Sequence, residues 1–173
     1  RLAKLVDEVL TLSRIETGRE EFHLERLDLS SLIKDTIEKM LLRAQKYGIK
    51  IVSDITPEVY VRGDKEKLVQ VIVNLLDNAF KYSPPRSTVR VILYKETSEA
   101  ILMVADQGIG IPEKDRSKVF DRFYRAENAR SISGTGLGLS IVKHIVDAHN
   151  GSINLTSGDN GGTTAILRLP TKA

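Results

Sequence analysis

Cysteine and long apolar runs are both missing from this 173-residue chain. Without cysteine the chain cannot form disulfide bonds or thiolate metal sites, and this composition fits a reducing compartment. No apolar run approaches the roughly 20 residues that a membrane-spanning helix needs, and no signal-peptide pattern is present. The chain also has no strong excess of either positive or negative charge. The net charge is +3, with basic and acidic residues interspersed, which argues against a dedicated nucleic-acid surface.

What is present suits a soluble globular protein, with 41% hydrophobic and 28% charged residues. The length allows one domain of ordinary size with an appendage, and such a domain can bury a sizeable core. The chain opens at Arg1 inside a helical pattern and without a methionine, so we interpret it as part of a longer protein.

The first segment is predicted to be an amphipathic helix over 1–17, with Gly18 as its stop. Its apolar residues recur at three- and four-residue spacing: Leu2, Leu5, Val6, Val9, Leu12 and Ile15. Two interpretations are open. The helix is either an ordinary core helix or one half of a helical hairpin whose other half lies outside this sequence.

The remaining residues predict helices and strands in a mixed order, with a long connection over 108–135. The predicted strands are 22–28, 49–54, 59–61, 89–94, 101–105, 152–156 and 163–169, and the predicted helices run from Asp28 or Ser30 to about Tyr47, from Asp64 to about Tyr82 and from Leu137 to Ala148. A glycine-rich turn over 158–162 joins the last two strands. This order indicates an α/β fold, a two-layer sandwich of a mixed sheet covered by helices on one face and preceded by a helical segment.

The helix from Asp64 to Tyr82 carries an unusual polar arc. Asn74, Asn78 and Lys81 cluster roughly 120° away from its apolar stripe. Asparagine is a poor helix former, but its amide oxygen can ligate Mg²⁺, and a lysine one turn on can meet a phosphate oxygen. Tyr82 could pack flat on a base. The alternatives are a solvated face and an ordinary core aromatic residue.

Two glycine-rich loops follow, Asp106-Gln-Gly-Ile-Gly-Ile-Pro112 and Gly134-Thr-Gly-Leu-Gly-Leu-Ser140. Glycine lets the backbone approach a ligand closely, and free amides before a helix attract phosphate. Asp106 could accept a hydrogen bond from the exocyclic amine of adenine. The alternatives are an Asx turn at Asp106 and a flexible linker at the second loop.

Together these segments resemble the motifs of sensor histidine kinases. Asn74-Leu-Leu-Asp-Asn-Ala-Phe-Lys-Tyr-Ser-Pro84 resembles the N box, the first glycine loop the G1 box, Phe120-Asp-Arg-Phe-Tyr-Arg125 the F box, and Gly134 to Leu139 the G2 box. Leu10 to Gly18 resembles the end of the second dimerisation helix. The resemblance implies a dimerisation-helix segment over 1–18 and a catalytic ATP-binding domain over 19–173, with the fold shared by gyrase and heat-shock chaperone ATPases (the Bergerat, or GHKL, fold).

The resemblance also implies roles for particular residues. Asn78 would ligate Mg²⁺, with Asn74 beside it. The catalytic residues would be Asn74, Lys81 and Arg125. Lys81 would contact a phosphate, and Arg125 would reach toward the γ-phosphate. Tyr82 would line the base and Asp106 would read the adenine amine. The other nucleotide contacts would be Gly108, Gly110, Ile111, Gly134, Thr135, Gly136, Leu137, Gly138 and Leu139. Residues 113–133 would form a mobile lid.

One departure concerns the phosphoacceptor histidine, which in this family lies on the first dimerisation helix, before Arg1. The histidines of this chain, His23, His144 and His149, are interpreted as structural or solvated; a charged His149 would be favourable at a helix C-terminus. The expected partners are the histidine-bearing dimerisation domain of the same protein and a downstream response regulator, with no nucleic acid and no membrane contact. The expected location is the cytoplasm, in a soluble protein or in the cytoplasmic part of a membrane-anchored sensor.

Other phosphoryl-transfer signatures are absent from the sequence, including the Walker lysine motif and the protein-kinase set. ATPases of the same fold carry a glutamate early in the N box, where this chain has Asn74, so hydrolysis should be slow. Two alternatives remain open: a non-catalytic nucleotide-sensing module, and an anti-sigma-type protein-serine kinase, which the segment 1–18 disfavours.

Overall fold

A computed structural model describes residues 2–17, 20–157 and 161–171 of the chain. The elements are α1 (Leu2–Glu16), β1 (Glu25–Asp28), α2 (Leu29–Lys46), β2 (Lys50–Ile55), β3 (Tyr60–Gly63), α3 (Lys65–Tyr82), β4 (Thr88–Glu96), β5 (Glu99–Ala105), α4 (Gly138–Ala148), β6 (Ser152–Ser157) and β7 (Thr163–Pro170). The predicted stop at Gly18 and part of the predicted turn over 158–162 lie outside the described residues.

The main sheet has five strands in the order β2-β4-β5-β7-β6. β2 pairs with β4 in parallel, and the other pairs are antiparallel. β1 and β3 form a separate antiparallel pair. Alternate residues of β4, namely Val89, Val91 and Leu93, are fully buried in the core under α2, α3 and α4. The predicted two-layer α/β sandwich with a mixed sheet is therefore confirmed.

Local sequence explains where two of the helices begin. The Asp28 carboxylate accepts the backbone N–H of Ser31 at 3.2 Å and caps α2. The Asp64 carboxylate accepts the N–H of Lys67 at 3.1 Å and caps α3. Each cap satisfies a donor that a helix leaves unpaired in its first turn. Asp28, one of the two caps predicted for α2, is therefore the actual one.

The predicted strand from Phe22 is wrong at its beginning. β1 starts only at Glu25, because the Phe22 ring lies against the rings of His144 and His149, with centroids 5.9 and 5.7 Å away. His23 is likewise outside the strand, and its backbone N–H donates to Asp64 Oδ2 at 3.0 Å. These contacts attach the segment before β1 to the ends of α3 and α4.

The connection between β5 and α4 contains two short 3-10 turns, Glu113–Asp115 and Glu127–Ala129. The Tyr124 hydroxyl donates to Asp115 Oδ1 at 2.6 Å, and the backbone N–H of Glu127 donates to Oδ2 at 3.4 Å, so Asp115 links the two turns. The structure describes every residue of this connection and shows no α-helix or β-strand in it. It coincides with the predicted lid over 113–133.

The predicted first helix is present as α1, which contacts α4. Within the described ranges, each helix is either too short or too polar to cross a lipid bilayer.

Candidate nucleotide-binding site

A cavity of about 1030 Å³ lies between α3, the start of α4 and the connection from β5 to α4. The predicted site residues that line it are Asn74, Asn78, Lys81, Tyr82, Asp106, Gly110, Ile111, Arg125, Gly134, Thr135, Gly136, Gly138 and Leu139. Two predicted residues, Gly108 and Leu137, are not part of its lining. The volume is that of a pocket for a drug-sized or cofactor-sized ligand.

Helix α3 contributes one polar face to the cavity. Asn74 and Asn78 are one helical turn apart, and a Cβ placed on Gly138 would come within 3.2 Å of Asn74 Oδ1. Because glycine has no side chain, the first turn of α4 can approach this amide closely. The two helices thus bring the N-box asparagines next to the free amides of α4.

Lys81, at the end of the same face, lies against the second glycine loop. A Cβ on Gly134 would stand 2.5 Å from Lys81 Nζ, and that nitrogen lies 5.0 Å from the centre of the Tyr82 ring. A positive charge is therefore placed beside the loop that precedes α4. Such a charge adds to the helix dipole and favours an anion at this place.

Asp106 follows β5 and turns the chain into the first glycine loop. Its Oδ1 accepts the backbone N–H of Gly108 at 2.8 Å and of Thr163 at 3.0 Å. Burial raises the pKa of this carboxyl, and the two N–H donors offset part of the rise. With Oδ1 occupied by the backbone, Oδ2 is the oxygen that can accept from a ligand. The predicted Asx turn and the predicted ligand contact are thus compatible.

Gly108 does not line the cavity but packs closely against the end of α3. A Cβ there would stand 2.5 Å from the carbonyl oxygen of Tyr82, and the N–H of Ile109 donates to the same carbonyl at 3.1 Å. The first glycine loop is thus attached to the end of α3. Any larger residue at position 108 would push the two apart.

Gly136, in the second glycine loop, has a positive φ of 75°. Its carbonyl accepts the N–H of Phe123 at 3.0 Å, and a Cβ on Gly136 would stand 2.7 Å from the Phe123 carbonyl carbon. Leu137, the next residue, is fully buried in the core. This loop is therefore fixed on one side by the core and on the other by the lid, and Leu137 anchors it without facing the cavity.

Arg125 lines the cavity, but its guanidinium binds the lid. Nη2 donates to the carbonyl oxygen of Ala129 at 2.6 Å and to that of Ile132. Nε is buried and has no hydrogen-bond partner among the described residues. A buried guanidinium N–H without an acceptor is costly. The Nε–H donor is therefore unsatisfied, whereas Nη2 is held by the two lid carbonyls.

The family model described as "Histidine kinase-, DNA gyrase B-, and HSP90-like ATPase" matches residues 63–173 of this chain. The chain belongs to this family. The match begins just before α3 and includes both glycine loops, the lid and the last two strands.

Curated relatives of the chain are sensor histidine kinases. The chain is 38% identical over 172 residues to the sensor-like histidine kinase SenX3 of Mycolicibacterium smegmatis, which covers 98% of this chain and 45% of that protein. It is 36% identical over 176 residues to the sensor histidine kinase WalK of Bacillus subtilis, covering 99% of this chain and 29% of that protein. The chain thus spans less than half the length of these relatives.

The solved structures that resemble this chain are also those of histidine kinases. The mycobacterial sensor histidine kinase MprB superposes with a TM-score of 0.78 at 38% identity, covering 84% of this chain and 97% of that one. Full-length ShkA in complex with AMPPNP superposes with a TM-score of 0.83 at 26% identity, covering 98% of this chain and 35% of that one. The chain is an ATP-binding catalytic domain of the histidine-kinase type.

An ion pair that the sequence of this kinase-type domain does not predict also lines the cavity. Arg43 Nε lies 2.6 Å from Asp77 Oδ1, and both residues line the cavity together with Tyr47. The Asp77 side chain is only 9% exposed. Arg43 and Tyr47 are one turn apart on the predicted helix, but nothing in the sequence shows that this face meets α3.

The histidines take structural or solvated positions, as predicted, but a charge at a helix C-terminus does not explain the position of His149. His149 is buried, and its Nε2 accepts the backbone N–H of Asp64 at 2.9 Å. Nδ1 must then carry the proton, and it lies 2.7 Å from the carbonyl oxygen of Ile145. The ring therefore serves as a neutral bridge rather than as a charge at a helix C-terminus. His144 Nε2 lies 3.1 Å from a carboxylate oxygen of Glu20.

Proposed function

We propose that this domain transfers the γ-phosphoryl group of ATP to a histidine on the dimerisation domain of its own parent protein. The observation that supports this most is the convergence of Asn74, Asn78, Lys81, Asp106 and the second glycine loop on one cavity. Amide oxygens, an ammonium, a carboxylate and free backbone amides are the groups that a magnesium nucleotide requires.

The proposed nucleotide lies with its base at Asp106 and its phosphates at the start of α4. Asp106 Oδ2 would accept from the exocyclic amine of adenine, with Tyr82 beside the base. Gly110 and Ile111 would follow the base and sugar. The amides of residues 134–139 and Lys81 would hold the phosphates, because the N-terminus of α4 and the ammonium both favour negative charge.

The donor set fits a magnesium ion that arrives with the nucleotide. No group of three histidine, aspartate or glutamate side chains that could hold a metal occurs in the part of the chain that the structure describes. Mg²⁺ commonly keeps several waters and takes only one or two protein oxygens plus substrate phosphates. Asn78, with Asn74 beside it, would supply the amide oxygens, and the ion would neutralise charge on the phosphates.

The cavity is poorly equipped to activate water. The carboxylates among its described lining residues are Asp77 and Asp106. Asp77 is held by Arg43, and Asp106 Oδ1 is held by two backbone amides. Asn74 cannot act as a base because an amide does not take a proton at neutral pH. The γ-phosphoryl group is therefore kept for a better nucleophile, and an imidazole attacks in line while Lys81 and Arg125 stabilise the transferring group.

The proposed acceptor is the histidine of a dimerisation domain of the same protein. We propose that residues 1–18, which contain α1, are the end of the second dimerisation helix, and that residues 19–173 are the catalytic domain. A response regulator would then receive the phosphoryl group. The proposed location is the cytoplasm, where ATP is available.

The experiment uses labelled ATP and this chain with and without a cognate dimerisation domain. The chain alone should gain essentially no acid-labile label, whereas the added domain should be labelled on its histidine. Transfer should be slower than in the intact protein, because tethering supplies effective concentration. Label on His23, His144 or His149 would overturn the proposal. Nucleotide binding without label on any cognate acceptor would favour the nucleotide-sensing alternative.

Two variants assign the roles of residues. Arg125→Ala should slow transfer while changing ADP affinity little, because this side chain would act on the γ-phosphate alone. Asn78→Ala should weaken Mg²⁺-ATP binding more than metal-free ADP binding. Asn154→Ala, on the exposed part of β6, is the matched control and should change neither. Wild-type binding of Mg²⁺-ATP by Asn78→Ala would show that the metal role is wrong.

A further inference from the structure

Glu8 of α1 contacts the second glycine loop, which lines the nucleotide cavity. The Thr135 hydroxyl donates to Glu8 Oε2 at 2.7 Å, and Thr135 lines the cavity. Glu8 is only 8% exposed, although charged residues of α1 could have remained in solvent. The carboxylate is therefore held inside the fold, beside the second glycine loop, rather than in solvent.

The surroundings of Glu8 are those of an anion site. Thr135 is next to Gly134, which lies against Lys81 Nζ, and it precedes the free amides at the start of α4. The Thr135 hydroxyl also accepts the N–H of Leu137 at 3.3 Å. Since a hydroxyl has a single proton, Thr135 cannot donate to a phosphate oxygen while it donates to Glu8.

Three apolar residues of α1 near this contact are partly exposed. Val6, Val9 and Leu10 remain 48%, 46% and 50% exposed. A helix of this length is marginal when it lies free in water. The hydrogen bond between Glu8 and Thr135 is therefore one of the contacts that hold α1 against the domain.

We propose that Glu8 and the terminal phosphate of ATP compete for the second glycine loop. Docked α1 then selects against ATP relative to ADP, because its carboxylate repels the additional charge and occupies the Thr135 proton. Conversely, ATP that occupies the loop releases α1 from α4, since the two effects are linked. This inference rests on the proposed function, in which the terminal phosphate lies at this loop.

The first test measures the affinities of the full chain for Mg²⁺-ADP and for a non-hydrolysable Mg²⁺-ATP analogue. Glu8→Gln keeps the shape of the side chain and removes its charge. This variant should bind the ATP analogue about fivefold to tenfold more tightly, which is the scale of a screened interaction between partly buried charges. Its affinity for ADP should change less than about twofold. The gain should shrink as salt is raised. Glu38→Gln, an exposed carboxylate on α2, is the charge-matched control and should change neither affinity.

The second test follows hydrogen exchange of the α1 amides in the wild-type chain. The ATP analogue should accelerate exchange in α1 while it protects the second glycine loop, and ADP should leave α1 protected. Unchanged or weaker binding of the ATP analogue by Glu8→Gln would overturn the inference, as would equal or greater protection of α1 with the ATP analogue. Failure of the wild-type chain to bind either nucleotide would instead contradict the proposed function.

Discussion

His149 Nε2 accepts the backbone N–H of Asp64 at 2.9 Å, so the residue that ends α4 is bonded directly to the residue that caps α3. The contact crosses from one site helix to the other at the ends far from the glycine loops. Gly63, next to the cap, is close to the same ring: a Cβ there would stand 3.0 Å from His149 Cδ2. The His149 imidazole thus links the asparagine helix to the glycine-loop helix at these ends.

Replacing His149 by phenylalanine should destabilise the fold by about 2–3 kcal/mol, because the Asp64 N–H is then left buried without an acceptor. Chemical denaturation measures this change. His23→Phe is the control: its side chain is exposed, and only its backbone bonds Asp64. That variant should shift stability by less than about 0.5 kcal/mol. Equal effects of the two substitutions would show that the bridge contributes little.

Asp106→Asn should lose most of the preference for ATP over GTP. The asparagine oxygen can still accept the N–H groups of Gly108 and Thr163, so its amide nitrogen would face the ligand as a donor where an acceptor is needed. The lost hydrogen bond to a charged group is worth about 1.5–3 kcal/mol. Calorimetric titration with both nucleotides measures the discrimination, and Asp54→Asn, exposed on β2, is the control. Unchanged discrimination would mean that another group reads the base.

Ionised Asp106 should also lower the stability of the ligand-free domain. Burial raises its pKa in the folded state, so between the ordinary aspartate pKa and the raised value the folded chain binds more protons than the unfolded chain. The Asp106 contribution to stability therefore falls as pH rises through this window. Unfolding curves from roughly pH 4 to 8 should show wild type losing stability relative to Asp106→Asn. A constant difference between the two across this range would contradict the raised pKa.

Gly136→Ala should impair nucleotide binding, whereas Gly161→Ala should not. Both glycines have positive φ, 75° and 93°, so both substitutions carry a backbone penalty of about 1–2 kcal/mol. Only at Gly136 would the new Cβ also collide with the backbone of Phe123; at Gly161 nothing lies within 4 Å. Gly136→Ala should therefore displace the lid from the second glycine loop. Comparable losses of affinity in the two variants would show that strain alone is responsible.

Local patterns predicted the helices and several of the residues that line the cavity. The polar arc of Asn74, Asn78 and Lys81 can be read from α3 alone, because helical spacing fixes which side chains share a face. The Asp64 cap and the glycines before α4 are equally local. Such features depend only on residues a few positions apart, so they can be predicted from the sequence.

Contacts between distant segments could not be predicted in the same way. Arg43 pairs with Asp77 across two helices, and Glu8 meets Thr135 from almost the other end of the chain. A charged His149 would be favourable after a helix C-terminus, yet the Asp64 N–H requires an unprotonated acceptor. In each case tertiary packing determines the partner, and neither charge nor periodicity in a single segment identifies it.

The order of the strands also determines when the site can assemble during folding. α3 lies within the connection between β2 and β4, the one parallel pair among the described strands. Pairing β2 with β4 requires this connection to close, and pairing β5 with β7 requires a still longer connection, which contains α4, to close. Both are slower events than forming the neighbouring β4–β5 hairpin. We therefore expect a refolding chain to form hairpins first and to gain nucleotide affinity only with the last, long-range step. A fluorescent nucleotide should report that delay.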